Sequence, residues 1–284
     1  MTEDLTKKVE RAIKLIQSAS KIAAENGCPE IELCYSGGKD SDVILELTKM
    51  AGVPYRAIYK NTTIDPSGTI KHAQDMGAEV VRPKKTFFQI VEECGFPDRF
   101  RRFCCKYLKE YKVLDYAIVG IRRSESRKRA EHYKEPEYCR VYSKTQKTRQ
   151  YLPILDWTDD DVRDFILERG IECAPVYYDE NGEFHVERRL GCVGCVLASP
   201  KKRIEQFKEH PNMVKAYIRA AQKYLDAHPN SKSYANNYGN AYAWFVRNLF
   251  YNSSQKWKED NENALIPPPN YKEFLEDYFN ITFK

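Results

Sequence analysis

Apolar residues recur at helical spacing near the start of the chain. Val9, Ile13, Ile16, Ile22 and Ala23 would share one face of a helix over residues 6–26. The period then shortens. Ile31-Glu32-Leu33-Cys34-Tyr35 predicts a strand running into a Gly-Gly turn, and a helix with Val43, Ile44 and Leu47 facing inward starts near Ser41. A strand over 55–59, a helix over roughly 68–77 and strands over 79–81 and 116–121 continue the alternation. Strands alternating with helices predict an α/β fold, a parallel twisted sheet flanked by helices on both faces.

The rhythm breaks between Arg122 and Arg149, where ten Lys or Arg stand against four Glu without a clean period. This stretch is predicted as a long mobile loop, either a solvated lid over a nucleotide or a surface that meets a polyanion. Thr158-Asp159-Asp160-Asp161 then reads as a capped helix start with Val162, Phe165, Ile166 and Leu167 behind it. From about Pro200 onward the chain is helical in character, and Pro267-Pro268-Pro269 sets off a final short helix. The implied division is a nucleotide-binding domain over 1–199 and a helical extension over 200–284. Aromatics of that extension, among them Tyr217, Tyr224, Trp244, Phe245 and Trp257, read as core. Asn236–Asn240 reads as a hinge or contact loop.

Composition narrows the class. With 42% hydrophobic and 31% charged residues, the 284-residue chain can bury a core yet is too polar for a membrane protein. No apolar run approaches the ~20 residues that span a bilayer, and the first residues lack the order of a secretory signal. A cytoplasmic protein with no membrane partner is expected. In that compartment nine cysteines point to metal or catalytic roles rather than disulfides. The net charge of +5 suits an anionic substrate without requiring nucleic acid.

Two constellations carry chemistry. Ser36-Gly37-Gly38-Lys39-Asp40-Ser41 lies between a predicted strand and a predicted helix. Glycines let the backbone approach an anion, the helix start offers unpaired N–H groups, and Ser36, Ser41 and Lys39 add donors. The spacing is not that of a Walker A loop, and a turn that only joins strand to helix is the alternative. The hexapeptide resembles the pyrophosphate loop of the ATP pyrophosphatase (PP-loop, adenine nucleotide alpha hydrolase-like) superfamily. Further segments resemble its phosphoadenylyl-sulfate and adenylyl-sulfate reductase branch: Asn61–Thr69, then Gly120-Ile121-Arg122-Arg123-Ser124-Glu125-Ser126 with Arg129, then Leu152–Val162. The likeness covers roughly residues 30–200. It implies a phosphate site at Ser36–Ser41, with Lys39 and Asp40 serving the chemistry (Asp40 as a Mg²⁺ ligand), and a nucleotide site lined by Arg122, Glu125 and Arg129.

The second constellation is Cys104-Cys105 followed, after 86 intervening residues, by Cys192-x-x-Cys195. It resembles the [4Fe–4S] signature of adenylyl-sulfate reductases, which implies these four as cluster ligands. Zinc, or unligated buried thiols, are the other readings. Arg99, Arg101, Arg102, Lys106, Lys109, Arg188 and Arg189 flank the pairs and would stabilise a net-negative cluster or grip phosphates. Cys34 reads as core. Cys139 is the best-placed candidate for a reactive thiol, with Lys134 and Arg140 nearby.

The reductases of this branch use a cysteine near the carboxyl terminus and a degenerate phosphate loop. Here no cysteine follows Cys195, and the loop is intact. Both departures favour ATP, and relatives with an intact loop include sulfur-transfer proteins that act on nucleic acid, such as the DNA phosphorothioation component. The leading expectation is an ATP-dependent adenylating sulfurtransferase of this family carrying a [4Fe–4S] cluster, with Mg²⁺, a sulfur donor and nucleic acid among its implied partners. A thioredoxin-dependent oxidoreductase acting on adenylyl sulfate or phosphoadenylyl sulfate is the alternative. A nucleotide- and redox-sensing module without turnover is the third reading.

Overall fold

The computed structural model describes residues 2–251, 254–261 and 270–283. The Pro267–Pro269 break lies outside them. No helix among the described residues is long and apolar enough to cross a membrane. The chain forms two compact units that do not follow a single cut near residue 199. The first comprises Met1–Asn61, Ser67–Pro83 and Tyr107–Leu190. The second takes Thr62–Pro66 and Lys84–Lys106 together with Gly191–Lys284.

The first unit is the α/β sheet. Its helices include α1 (Glu3–Glu25), α2 (Lys39–Ala51) and α3 (Thr69–Asp75). Its strands are β1 (Ile31–Tyr35), β2 (Tyr55–Lys60), β3 (Glu79–Val81), β4 (Tyr116–Val119), β5 (Glu137–Val141) and β6 (Lys147–Tyr151), in the order β3-β2-β1-β4-β6-β5. All neighbouring pairs run parallel except β5 against β6. The predicted strands pair as the alternation required, because a parallel pair needs a crossover connection long enough to hold a helix. The core joins the inward stripe of α1 (Leu5, Val9, Ala12, Ile16) to Leu33, Val43, Ile44, Leu47, Ile118 and Phe165.

The segment 122–149 departs from the mobile loop expected there. It holds a helix at Arg127–His132 and the β5–β6 hairpin, which extends the sheet by two strands. In β6, Thr148 and Gln150 are buried while Lys147 and Arg149 are exposed, the period of two proper to a strand. The inward positions are polar rather than apolar, so hydropathy alone shows no strand. Thr148 Oγ1 donates to the Leu114 carbonyl at 2.9 Å, which makes a polar residue acceptable inside. The charged β5 edge also blunts strand-to-strand aggregation.

Helices make up most of the second unit: Phe87–Cys94, Pro200–Glu209, Pro211–Ala227, Ala241–Phe250 and Tyr271–Phe279 among them. Phe87, Phe96, Phe207, Phe245 and Phe279 pack around or beside Tyr217 with ring centroids 5.1–6.5 Å apart; Tyr217, Phe245 and Trp257 are core as expected, while Tyr238 is exposed. Asn237, in the expected hinge or contact loop, is buried and donates to the Ser233 carbonyl at 2.7 Å.

Candidate functional site

In the first unit, the turn between β1 and α2 is a cradle of backbone. Gly37 has φ +75°, and a Cβ there would lie 2.9 Å from the Thr69 methyl. A Cβ on Gly38 would stand 3.1 Å from the Tyr177 hydroxyl. Glycine is therefore required by backbone sign at the first position and by close approach at the second. Ser41 Oγ donates to the Gly38 carbonyl at 2.6 Å, and Ser36 Oγ lies 3.2 Å from Ser41 Oγ. Gly38 is the N-cap of α2 without a side-chain cap; the Ser41 N–H turns back to the Gly38 carbonyl at 2.8 Å and the Tyr177 hydroxyl takes the Lys39 N–H. Lys39 is buried, its Nζ 3.4 Å from Asp40 Oδ2 and 5.6 Å from the Tyr177 ring centroid.

Arg122, Glu125 and Arg129 gather beside this loop. Arg122 is fully buried and spends its guanidinium on four groups: Asp40 Oδ1 at 2.6 Å, Asp159 Oδ1 at 2.7 Å, Ser124 Oγ at 2.8 Å and the Trp157 carbonyl at 3.4 Å. Glu125 accepts the Arg122 N–H at 3.3 Å and pairs with Arg129. Burial draws the Arg129 guanidinium below its ordinary value; Asp40 opposes this, while Arg189 and Arg122 add to it. Arg189 donates to the Glu125 carbonyl at 2.9 Å. Arg188 and Arg189, which precede the second cysteine pair in sequence, donate within the first unit to the Tyr178 and Glu125 carbonyls. Asp40, Asp159 and Glu125 answer the charge of Arg122 and Arg129, while the guanidinium of Arg189 donates to a neutral carbonyl.

A polar group behind the loop had no signal in the sequence. Asp42 is fully buried and accepts from the Tyr35 hydroxyl, with His72 Nε2 3.1 Å away. Burial, then the Asp42 charge, push the Cys173 thiol up. This network ties α3 to the first turn of α2, next to the Ser36–Ser41 turn in sequence.

The four cysteines of the predicted cluster all belong to the second unit. Cys192–Cys195 is a tight turn in which Cys195 N–H donates to the Cys192 carbonyl at 3.2 Å. Its backbone is tied from every side: Val193 N–H to the Ile64 carbonyl at 2.8 Å, Gly194 N–H to Gln206 Oε1 at 3.1 Å, and Tyr217 Oη to the Val193 carbonyl at 2.7 Å. Cys192 Sγ lies 3.5 Å from Thr62 Oγ1 and 3.7 Å from Asp65 Oδ1. Residues 62–66, part of the segment that resembles the reductase branch, thus brace the Cys-x-x-Cys turn. A hydrogen bond with Cys105, then burial, then the charges of Cys105 and Cys192 push the Cys104 thiol up. Burial first, then Cys192, Cys195 and Cys104, push the Tyr217 phenol well up. All four sulfurs therefore share one neighbourhood beside Tyr217.

Arg203 supplies a test of what that neighbourhood suits. It is buried, its two terminal nitrogens donate to Asn248 O at 3.0 Å and Oδ1 at 3.3 Å, and its Nε–H has no partner among the described residues. Its hydrogen-bond partners are neutral, and burial draws its guanidinium below the ordinary value. A buried cation with an orphaned donor needs an anion. Four thiolates around a metal centre carry net negative charge, so the residues present fit such a group.

Cys139 lies on the exposed edge strand β5, opposite Arg149. Asp179, Glu183 and His185 hold ligand-type atoms within 4.8 Å of one another, but they satisfy one another and local N–H groups in a surface turn.

An uncharacterized 37.8 kDa protein of Escherichia phage 186 is 24% identical over 63% of this chain and 70% of its own. Sulfate adenylyltransferase subunit 2 of Shewanella frigidimarina is 27% identical over 57% of this chain and 64% of its own, so the chain spans under two thirds of that relative. Among solved structures, phosphoadenylyl-sulfate reductase from Candida auris has a TM-score of 0.42 at 14% identity, over 61% of this chain and 89% of that one. The U34-tRNA thiolase NcsA from Methanococcus maripaludis with its [4Fe–4S] cluster also has 0.42, at 15% identity and 82% coverage of both. Residues 30–198, more than half of the chain and the span that holds both the phosphate cradle and the four cysteines, match the phosphoadenosine phosphosulfate reductase domain, and the chain belongs to that family of the PP-loop superfamily.

Proposed function

We propose that the protein adenylates an acceptor with ATP and prepares it for sulfur transfer, and that Cys104, Cys105, Cys192 and Cys195 hold a [4Fe–4S] cluster. The observation that carries the reading is the intact cradle at Ser36–Ser41, with the buried Lys39 at its floor. A nucleotide with β- and γ-phosphates engages this cradle and its lysine.

In the reaction, an acceptor oxygen attacks the α-phosphorus, the bond from that phosphorus to the bridging oxygen breaks, and pyrophosphate leaves. A hydrosulfide or persulfide donor then displaces AMP. Lys39 stabilises the charge that gathers on the leaving pyrophosphate. Arg122 holds Asp40 in place from beneath, and Asp40 is the carboxylate nearest the cradle for Mg²⁺. Arg129 and Arg189 offer charge to the nucleotide. The cluster, when bound, supplies electron transfer or a site to hold sulfur. The chain's own part is to desolvate it against Tyr217 and balance its charge with Arg203.

The test is an anaerobic titration of the protein with Mg·ATP, adenylyl sulfate and phosphoadenylyl sulfate in parallel, with iron analysis of the same sample. Preference for Mg·ATP that Lys39→Ala abolishes supports adenylation. Preference for a sulfate nucleotide makes the protein a reductase instead, and absence of iron removes the cluster.

A further inference from the structure

One aromatic ring in the second unit is left in water. Phe100 is 98% exposed. Its loop is nonetheless built: Asp98 Oδ1 accepts the N–H groups of Phe100 and Arg101 at 2.8 and 2.7 Å, and Oδ2 accepts Arg101 Nε at 2.8 Å. Arg99 Nε donates to the Val196 carbonyl at 3.3 Å, which brings the loop against the exit of the Cys192–Cys195 turn. Leu197, the next residue there, is also exposed. Arg99, Arg101, Arg102 and Lys106 surround the ring in sequence, and exposed Lys201 and Lys202 open the helix beyond Leu197. Asp98, already bonded to Arg101, is the one acid between residues 96 and 106.

We propose that this face binds single-stranded nucleic acid, with Phe100 stacking on a base and the surrounding cations meeting phosphates. An acidic polypeptide would answer the charges but offers no flat face to the ring, and a duplex hides the faces of its bases. A single strand offers both at once, without demanding a particular sequence. The ring stands four residues before Cys104. The binding does not rest on the proposed adenylation.

The test uses full-length protein under anaerobic conditions and fluorescence anisotropy with labelled oligothymidylate and oligouridylate of about 20 nucleotides, longer than one site. A duplex of the same length and a polyglutamate competitor are run beside them. Both single strands should bind more tightly than the duplex. Phe100→Ala should weaken them ~5- to 150-fold, and Arg102→Ala should lower the slope of log affinity against log salt by about 0.7. Circular dichroism should be unchanged, since Phe100 packs on nothing. Absence of binding, or binding indifferent to Phe100→Ala, overturns the proposal. Equal competition by polyglutamate also overturns it and assigns the face to an acidic protein. Mg·ATP titration of the same samples separates the two readings. Loss of Mg·ATP binding with oligonucleotide binding intact refutes the proposed function alone.

Discussion

Gly194→Ala is the most severe single-methyl test of the cysteine site. Gly194 has φ +72°, and an added Cβ would stand 2.4 Å from Phe207 Cζ and 3.0 Å from the Tyr217 hydroxyl. The left-handed backbone alone costs a non-glycine residue about 1–2 kcal/mol. The overlap falls on a buried ring packed against Tyr217 and Phe245, so the ring moves only by disturbing the core, at about 1–3 kcal/mol more. A total of roughly 2–5 kcal/mol is expected. Denaturant unfolding of wild type, Gly194→Ala, Phe207→Leu and the double variant measures it. Phe207→Leu removes the clashing atoms, so the double variant should be more stable than the sum of the singles by about 1–2 kcal/mol, leaving the backbone cost behind. Iron per chain after anaerobic preparation should fall in Gly194→Ala, because the turn that aims Cys192 and Cys195 shifts. Wild-type stability in Gly194→Ala, or strict additivity in the cycle, would refute this account of the turn.

Other consequences are as open to measurement. Glu32 is buried and receives Lys60 Nζ at 3.3 Å, the Leu114 N–H at 3.2 Å and the Cys34 thiol at 3.4 Å. Glu32→Ala strands Lys60 and should cost about 3–5 kcal/mol in denaturant unfolding, while Glu32→Leu with Lys60→Met should cost less. Asp42→Ala leaves the Tyr35 hydroxyl and His72 without their acceptor and should cost about 2–4 kcal/mol. Because the network adjoins the Ser36–Ser41 turn, Mg·ATP affinity should fall as well, as calorimetry would show. Asp161 caps the helix Asp159–Arg169. Burial raises its pKa, but the Thr158 N–H at 2.7 Å and Lys8 Nζ at 2.9 Å outweigh this and hold it below the usual carboxylate range. A depressed folded pKa stabilises the protein above the unfolded value of about 3.9 and ceases to do so as pH falls through the folded one. The stability gap between wild type and Asp161→Asn should therefore be full at pH 7 and shrink below about pH 4; an undiminished gap at pH 3 would contradict the assignment.

Whatever depends on neighbours in sequence was legible without coordinates. The strand–turn–helix at residues 31–51 declares itself because an apolar run, two glycines and a periodic helix face are local signals that agree. The capping box at Thr158 and Asp161 is legible for the same reason. The family resemblance placed Arg122, Glu125 and Arg129 at one site, and the fold gathers them around Asp40.

Other features belong to tertiary structure alone. The β5–β6 hairpin is invisible to hydropathy because its inward residues are polar and become acceptable only against the partners that the sheet supplies. Arg189 is close in sequence to Cys192 but bonds to Glu125, and Asp65, far from Cys192 in sequence, lies against its sulfur. Asp42 occupies an inward helix position that only Tyr35 and His72 make tolerable. Arg203, one basic residue among many on a helix, becomes informative once it is found buried with its Nε–H unanswered. Local pattern specifies elements, because backbone propensity and periodicity act over a few residues. The meeting of charges across long loops is decided by packing, which no short window of sequence contains.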